Sequence, residues 1–442
     1  MSRLPLGPTR ASADPAVWYL GMFVVIGLSL TLLGPALSDM RRQVGASVSA
    51  ISVLFVVQSL GYLGGSIVGG RLYDRGFGHR ALSGALVVCA IGMAAIPAAG
   101  GLAVLSAMFA LVGIGGAVVD VGGNTLLVWS RGASVGPMMN ALHLCFGVGA
   151  LLSPFVVDRS VAWGDGLGIA CWFTAALALV VAVPLLRLPA PTRTARPRDD
   201  RRAASAAAAR GSATETAIGS PSATGDPGRS DPAVPEGSPG RHHPPVLLVA
   251  ISFFFVLYVG VELGFAGWVH TYAEEIDLGG PSAPALLTGL FWAGFTGGRL
   301  VSVPLARVVR PSTMLLGSCI VAVAAAGALV VADGGPTVVW IATFVFGLGV
   351  APQFPTMISF ADAHLRLSGS DTSWFVAASA LGGLILPWVI GQVIGDSDAQ
   401  AMPVIVFLAS AATLGWLLVV RRMAAQHDAR TAMPAAASTP PP

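Results

Sequence analysis

Twelve long apolar segments constrain this chain more than any other feature of its sequence. Each has about 20 or more residues, the length that a helix needs to cross a hydrocarbon core of ~30 Å. Hydrophobic residues make up 54% of the 442 residues and charged residues only 11%, which excludes a soluble globular domain. The sequence therefore predicts an all-α membrane protein with twelve transmembrane helices. The segments span approximately residues 17–38, 50–70, 81–99, 102–128, 137–157, 167–187, 246–270, 284–306, 313–332, 336–360, 371–394 and 402–420.

A change of composition between the sixth and seventh segments divides the chain into two halves. Residues 190–244 are mainly Ala, Pro, Ser, Gly, Arg and Asp, and they include no aromatic residue. Such a stretch cannot bury a core, so we expect a disordered linker there. The sequence predicts one six-helix bundle over 17–189 and a second over 245–421. The linker is predicted to be cytoplasmic, and so are an N-terminal tail at 1–16 and a disordered C-terminal tail at 422–442.

The distribution of arginine predicts the orientation in the membrane. All 25 Lys or Arg residues are Arg; with the N-terminus inside, 21 fall in cytoplasmic segments and 3 in outside loops. Cytoplasmic loops of membrane proteins carry such an excess. We expect a multi-pass protein of the cell membrane, an inner membrane in a bacterium, with both termini in the cytoplasm and the lipid bilayer around the spans.

Several function classes receive no support from the sequence. The net charge is only +3, so we expect no nucleic-acid partner. No nucleophile triad, phosphate-binding loop or cluster of metal ligands is present, and the four cysteines lie in apolar runs without metal-ligand spacing. We therefore expect neither an enzyme nor a protein with a cofactor or metal.

The second and eighth segments share a pattern of small residues. The second contains Gly61, Gly64 and Gly65, and the eighth contains Gly294, Gly297 and Gly298. Small residues allow membrane helices to pack closely. Because both segments are the second helix of their half, the pattern indicates an internal repeat, which is typical of transporters with parallel repeats.

The loop after the second segment resembles the signature of the major facilitator superfamily. That signature is Gly-x-Leu-x-Asp-Arg-x-Gly-Arg-Arg/Lys, between helices 2 and 3. In residues 70–80 of this chain, the glycine, leucine, aspartate and first arginine match, the second glycine comes one residue late, and His79 with Arg80 replaces the basic pair. The matching positions are Gly70, Leu72, Asp74 and Arg75.

This resemblance implies a fold and a gate. The implied fold is two six-helix pseudo-repeat bundles, in a monomeric secondary transporter that works by alternating access. The implied cytoplasmic gate consists of Gly70, Asp74, Arg75, Gly78 and Arg80. Asp74 can accept charge-assisted hydrogen bonds that hold the cytoplasmic side closed and break when the halves rock. The alternative is that the arginines are ordinary anchors at the membrane surface.

Two carboxyl groups are predicted to lie well inside the spans. Asp120 is four residues before Asn124 in the fourth segment, and Glu262 follows Tyr258 by one turn in the seventh. An ionisable group in a membrane is costly and is therefore a functional candidate, and a buried carboxyl group can exchange a proton near neutral pH. We expect Asp120 and Glu262 to couple transport to protons; the alternative is a purely structural hydrogen bond.

Other polar side chains inside the spans are candidate substrate ligands. The fifth segment has two of them three residues apart, so they share one face of a helix. In the tenth segment, two prolines that bend the helix and free backbone groups lie beside an amide and a hydroxyl. Arg299 in the eighth segment either binds substrate or extends toward the cytoplasm. We expect substrate contacts from Asn124, Asn140, His143, Gln353, Thr356 and Arg299.

The pattern of these residues resembles the fucose–proton symporter branch of the superfamily and its relatives, the sodium-dependent glucose transporters. That branch has an acid four residues before an asparagine on helix 4, an asparagine with a polar residue three later on helix 5, and Phe-Pro-Thr on helix 10. The resemblance implies proton-coupled sugar import, with the helix 4 acid as proton carrier. The branch also has an acid in helix 1, where this chain has only Ser29 and Thr31.

Three functions remain open at this stage. The first is a symporter of a sugar-like small molecule or polyol, driven by H⁺ or Na⁺. The second is a proton-coupled exporter of drugs or metabolites; its usual Gly-Pro-x-x-Gly-Gly motif is absent from the fifth segment, which has Gly147, Gly149 and Pro154. The third is a sensor or scaffold on the same fold, in which the linker binds a partner.

Overall fold

Twelve helical spans follow one another along the chain in the computed structural model, which describes residues 15–131, 135–164, 166–191, 245–332, 335–365, 369–396 and 400–432. By length and apolar composition, eleven helices can each cross a membrane, and the bent pair at the start makes twelve. The fold class predicted from the sequence is confirmed. The spans are α1 (Ala16–Thr31 with Leu33–Val44), α2 (Val48–Asp74), α3 (Gly78–Ala98), α4 (Leu102–Arg131), α5 (Gly136–Ala162), α6 (Gly168–Arg187), α7 (Pro245–Glu275), α8 (Ala283–Leu305), α9 (Pro311–Ala332), α10 (Pro336–Val350 with Gln353–Leu365), α11 (Gly369–Asp396) and α12 (Ala401–Ala432).

The first span is bent by 45° between its two parts. Pro35 has no N–H to donate to the carbonyl one turn earlier, and this weakens the helix at that point. Just before the bend, the hydroxyls of Ser29 and Thr31 donate to the carbonyls of Val25 and Gly27 at 2.8 and 2.7 Å. Such bonds to the preceding turn favour bending. The helix runs on to Val44, past the predicted end at residue 38.

Close glycine contacts join the second and fourth helices of each half. A Cβ atom on Gly61 of α2 would lie 2.5 Å from the carbonyl oxygen of Ala110 in α4. At the equivalent place in the second half, a Cβ on Gly294 of α8 would lie 2.3 Å from the carbonyl oxygen of Phe344 in α10. The small residues that indicate a repeat in the sequence therefore make the same backbone contact in both halves.

The first and fifth helices of each half are joined in the same way. A Cβ on Gly27 of α1 would lie 2.3 Å from the carbonyl oxygen of Phe146 in α5. A Cβ on Gly382 of α11 would lie 2.1 Å from the carbonyl oxygen of Val256 in α7. The two halves are thus two bundles built on one plan, as expected from the repeat.

The last helix differs from the prediction at its C-terminal end. It continues to Ala432, whereas the sequence predicts that the bundle ends at residue 421 and that a disordered tail occupies 422–442. The segment from Arg421 to Ala432 is rich in Ala and Arg, which are strong helix formers, although it is too polar to cross a bilayer. Hydropathy marks the end of a span there, but the helix itself goes further. Most of the predicted linker, from residue 192 to 244, lies outside the described residues, as do residues 1–14 and 433–442.

Candidate functional site

A cavity of about 1120 Å³ lies between the two halves. Its wall includes side chains from α1, α2, α4 and α5 of the first half and from α7 to α11 of the second. A cavity of this size holds a small organic molecule, and its apolar wall with a few polar groups is typical of such sites.

Seven of the eight side chains that the sequence predicts for proton coupling or substrate binding line this cavity. The exception is Gln353, which is only 2% exposed and whose amide donates to the carbonyl of Gly349, within its own span, at 3.2 Å. It lies where α10 is interrupted, immediately after Pro352. The seven on the wall are Asp120, Asn124, Asn140, His143, Glu262, Arg299 and Thr356.

In the first half, the carboxyl group of Asp120 accepts hydrogen bonds at both of its oxygens. The hydroxyl of Tyr62 in α2 donates to Oδ2 at 2.5 Å. The amide of Asn124, one turn further along α4, donates to Oδ1 at 3.0 Å and to the Asp120 carbonyl at 2.9 Å. The spacing of Asp120 and Asn124 predicts their contact, but Tyr62 is missed because its pairing depends on how α2 packs against α4.

In the second half, Glu262 accepts a hydrogen bond from the hydroxyl of Tyr258, one turn earlier on α7. This is the contact that their spacing in the sequence suggests. Each half therefore contributes one carboxyl group whose partner is a tyrosine hydroxyl. A charged carboxylate is stabilised by charge-assisted hydrogen bonds of this kind.

Arg299 of α8 is half-buried and reaches the same cavity. Its guanidinium carbon lies 4.5 Å from the ring centroid of Phe295, and it makes no ion pair with any residue in the described ranges. Its Nε atom is buried there without a hydrogen-bond partner, and so is Oγ1 of Thr296 on the same helix. Both side chains line the cavity.

The wall contributed by α5 combines a ring and an amide. His143 packs edge-on against Phe23 of α1, with ring centroids 5.7 Å apart. Asn140, three residues earlier, is exposed and also lines the cavity. The predicted pair thus shares one face of α5, the helix that packs against α8 of the second half.

Contacts between the halves concentrate at one end of the molecule. There, the hydroxyl of Ser38 in α1 donates to Oε2 of Glu274 in α7 at 2.5 Å. The amide of Gln392 in α11 donates to the carbonyl of Ser49 at 2.9 Å and to the hydroxyl of Ser52 at 3.0 Å, both in α2. These bonds close that end of the cavity, and we refer to it as the closed end.

The cavity is open at the other end, which also holds the loop from Asp74 to Gly78. The wall there reaches the exposed residues Ala306 and Ser359 and the half-buried Val309, around the ends of α8 and α10. Helix direction alternates along the chain, so this open end also carries the start of α1 and the end of α12. The site is therefore accessible from one side only.

The loop between α2 and α3 holds the predicted gate residues. Gly76 and Gly78 have positive φ angles of 81° and 45°, a conformation that glycine adopts without steric cost. The side chains of Asp74, Arg75 and Arg80 are exposed, and among the described residues none of them makes an ion pair or a hydrogen bond. Gly70 has open space around it. The predicted latch is thus not engaged in this conformation, in which the cavity is open on that side.

Comparison with known proteins gives one family and a consistent set of relatives. The family model described as Major Facilitator Superfamily matches residues 19–387. Sodium-dependent glucose transporter 1A of Mus musculus is 29% identical over 385 residues, covering 84% of this chain and 87% of that protein. Sodium-dependent glucose transporter 1 of Rattus norvegicus is 30% identical over 404 residues, covering 87% and 80%.

Solved structures show the same fold at low sequence identity. The xylose transporter XylE from E. coli, in a partially occluded inward-open conformation, superposes with a TM-score of 0.69 at 12% identity, covering 92% of this chain and 98% of that chain. The peptide transporter POT in complex with sulfate superposes with a TM-score of 0.70 at 14% identity, covering 96% and 97%.

Proposed function

Because the chain belongs to the Major Facilitator Superfamily, we propose that it is a proton-coupled symporter that imports a sugar or polyol by alternating access. Membership of the superfamily makes it a multi-pass membrane transporter and not an enzyme. The proposal concerns three properties beyond that membership: the substrate class, the coupling ion and the direction of transport.

The central cavity is the observation that carries this proposal. It brings Asp120 and Glu262, one carboxyl group from each half, together with the polar side chains of Asn124, Asn140 and His143. Sugar hydroxyls both donate and accept hydrogen bonds, and a site that binds them needs paired donors and acceptors. The names of the most similar relatives, which are glucose transporters, support a sugar.

We assign proton coupling to Asp120 and Glu262. A carboxylate only accepts hydrogen bonds, whereas a protonated carboxyl group also donates one. Proton uptake by Asp120 therefore changes its bonds with Tyr62 and Asn124. The bond with Tyr62 joins α2 to α4 beside the substrate. Thr356 and Arg299 complete the proposed substrate contacts, and Gln353 would reach the cavity only if α10 turned at its break.

Sodium is the alternative coupling ion, since the two relatives compared above are named sodium-dependent. Both ions would use the same acidic side chains, because hard cations prefer oxygen ligands. An imposed proton gradient and an imposed sodium gradient separate the two possibilities.

We place the protein in the plasma membrane as a monomer. In the proposed orientation, the open end of the cavity faces the cytoplasm. The excess of arginine in the loops at that end supports this placement. The structure then corresponds to an inward-open state. In the outward-open state, the gate residues Gly70, Asp74, Arg75, Gly78 and Arg80 would close the cytoplasmic side.

The test is proton movement into proteoliposomes on addition of a sugar panel, followed with an internal pH dye. We expect internal acidification with at least one sugar. Asp120→Asn should abolish uphill uptake but keep counterflow exchange, which needs no net proton movement. The matched control is Asp277→Asn: Asp277 is exposed in the loop after α7 with φ 47°, which asparagine tolerates.

Each other result has a defined meaning. Normal uphill uptake by Asp120→Asn would show that this residue is not the proton carrier. Uptake driven by sodium alone would show that the coupling ion is Na⁺ rather than H⁺, while the proposed sugar substrate would stand. The absence of any transport by folded protein would overturn the proposed function.

A further inference from the structure

We propose that the substrate carries a carboxylate, as in a sugar acid, and that Arg299 binds it. This inference rests on the proposed function, because it takes the central cavity as the transport site. It narrows the substrate class from sugars in general to hydroxylated acids.

The first argument is the unpaired charge of Arg299. A guanidinium is always protonated in proteins and presents five N–H donors. The Nε atom of this one is buried on the cavity wall without a hydrogen-bond partner in the described part of the chain. Its other contact is with the ring of Phe295, whose centroid lies 4.5 Å from the guanidinium carbon. A charged group inside a membrane protein normally has an ionic partner, and within the described residues Arg299 has no direct one.

The two carboxyl groups of the cavity do not supply that partner. Glu262 accepts its hydrogen bond from Tyr258, and Asp120 accepts from Tyr62 and Asn124. Glu262 lies near enough to Arg299 for their charges to interact, but neither carboxyl group forms a direct ion pair with it. The arginine is therefore available to an anionic guest, and a carboxylate matches the planar fork of a guanidinium with two parallel hydrogen bonds.

A second unsatisfied group lies one turn earlier on α8. The hydroxyl of Thr296 is buried on the cavity wall with no hydrogen-bond partner among the described residues. Residues three apart on a helix share one face, so Thr296 and Arg299 face the same guest. A neutral hydroxyl could satisfy Thr296, but only an anion also neutralises Arg299.

An anionic substrate also gives the acids a reason to be protonated. Asp120 and Glu262 line the same cavity, and in their charged forms they repel an anion. A proton that binds to one of them removes this repulsion. Proton and anion would thus favour each other's binding, which is the energetic requirement of symport.

The test compares acids with their neutral counterparts on the purified full chain. D-glucuronate, D-galacturonate and D-gluconate are compared with D-glucose, D-galactose and sorbitol by binding in detergent and by counterflow in proteoliposomes. We expect at least one acid to bind at least tenfold more tightly than its neutral counterpart. Arg299→Gln should lower the affinity for the acid at least tenfold, whereas Arg299→Lys should keep part of that affinity. The charge-matched control is Arg422→Gln, because Arg422 is exposed on α12 and does not line the cavity.

Equal affinity for acids and neutral sugars would overturn the inference, and so would an acid preference that survives in Arg299→Gln. If glucose is transported and the acids are not, the inference fails while the proposed function stands. If the folded protein moves none of the six compounds, both fail. Where Arg299→Gln does not fold, the comparison on the unchanged protein still tests the substrate class, and Arg299→Lys still tests the role of the arginine.

Discussion

At the scale of single residues, Asp120 depends on a tyrosine that comes from another helix. The Tyr62 hydroxyl donates to its Oδ2 at 2.5 Å, and a hydrogen bond to a charged group contributes about 1.5–3 kcal/mol. We therefore expect Tyr62→Phe to lower kcat/KM for proton-driven uptake by about tenfold or more, because the carboxyl group loses the donor that orients it. Initial uptake rates in proteoliposomes, measured over a range of substrate concentrations, check this.

The matched control for this substitution is Tyr73→Phe. Tyr73 lies on the same helix and is buried, but its hydroxyl donates to the carbonyl of Val118 at 2.8 Å and it does not line the cavity. Tyr73→Phe should lower the thermal midpoint of unfolding without changing the ratio of proton-driven uptake to counterflow. Tyr62 positions Asp120 only if Tyr62→Phe lowers that ratio; an unchanged ratio would leave it a packing role alone.

At the scale of helices, α2 packs against α4 through Gly65 and not through its neighbour Gly64. A Cβ on Gly65 would lie 2.4 Å from the carbonyl oxygen of Ile114, whereas a Cβ on Gly64 would have no atom within 4 Å. Gly65→Ala should therefore destabilise the protein by roughly 1–3 kcal/mol. Gly64→Ala should be neutral or stabilise by up to about 1 kcal/mol, since alanine favours a helix. Thermal midpoints in one detergent measure both.

The second half offers the same comparison. A Cβ on Gly298 of α8 would lie 2.8 Å from the carbonyl oxygen of Leu348, and one on Gly297 would meet only a side-chain atom at 3.9 Å. Gly298→Ala should lower the thermal midpoint and Gly297→Ala should not. A difference confined to one half would mean that the glycine contacts are not a shared feature of the repeat.

The helices themselves could be predicted because a membrane demands apolar length, and length is visible in the sequence. The bend in α1 and the end of α12 at Ala432 could not, since both depend on local hydrogen bonding and helix propensity rather than on hydropathy. The same distinction applies to the site. The pair of Asp120 and Asn124 follows from spacing on one helix, whereas Tyr62 reaches the site through contacts between helices, which no single-sequence pattern reveals.

At the scale of the whole molecule, the closed end is held by polar bonds and by close packing between the halves. A Cβ on Gly34 of α1 would lie 2.8 Å from the carbonyl oxygen of Ala266 in α7. Ser38 bonds Glu274, and Gln392 bonds the backbone and side chain of α2. Single hydrogen bonds of this kind contribute about 0.5–1.5 kcal/mol each. Alternating access requires that these bonds break and that the halves separate here during each transport cycle.

A disulfide across this closed end tests whether it must open for transport. A Cβ on Gly395 of α11 would lie 3.2 Å from the Cβ of Ser49 in α2, close to the ~3.8 Å that a disulfide prefers. In a background without the four native cysteines, Ser49→Cys with Gly395→Cys should form a disulfide on oxidation. We expect the oxidised double variant to lose transport by at least tenfold while it still binds substrate from the open end, and reduction should restore transport. Each single substitution is the control, since it introduces one of the two cysteines without the cross-link. Full transport by the oxidised double variant would show that the halves do not separate here, and that substrate leaves the cavity by another route.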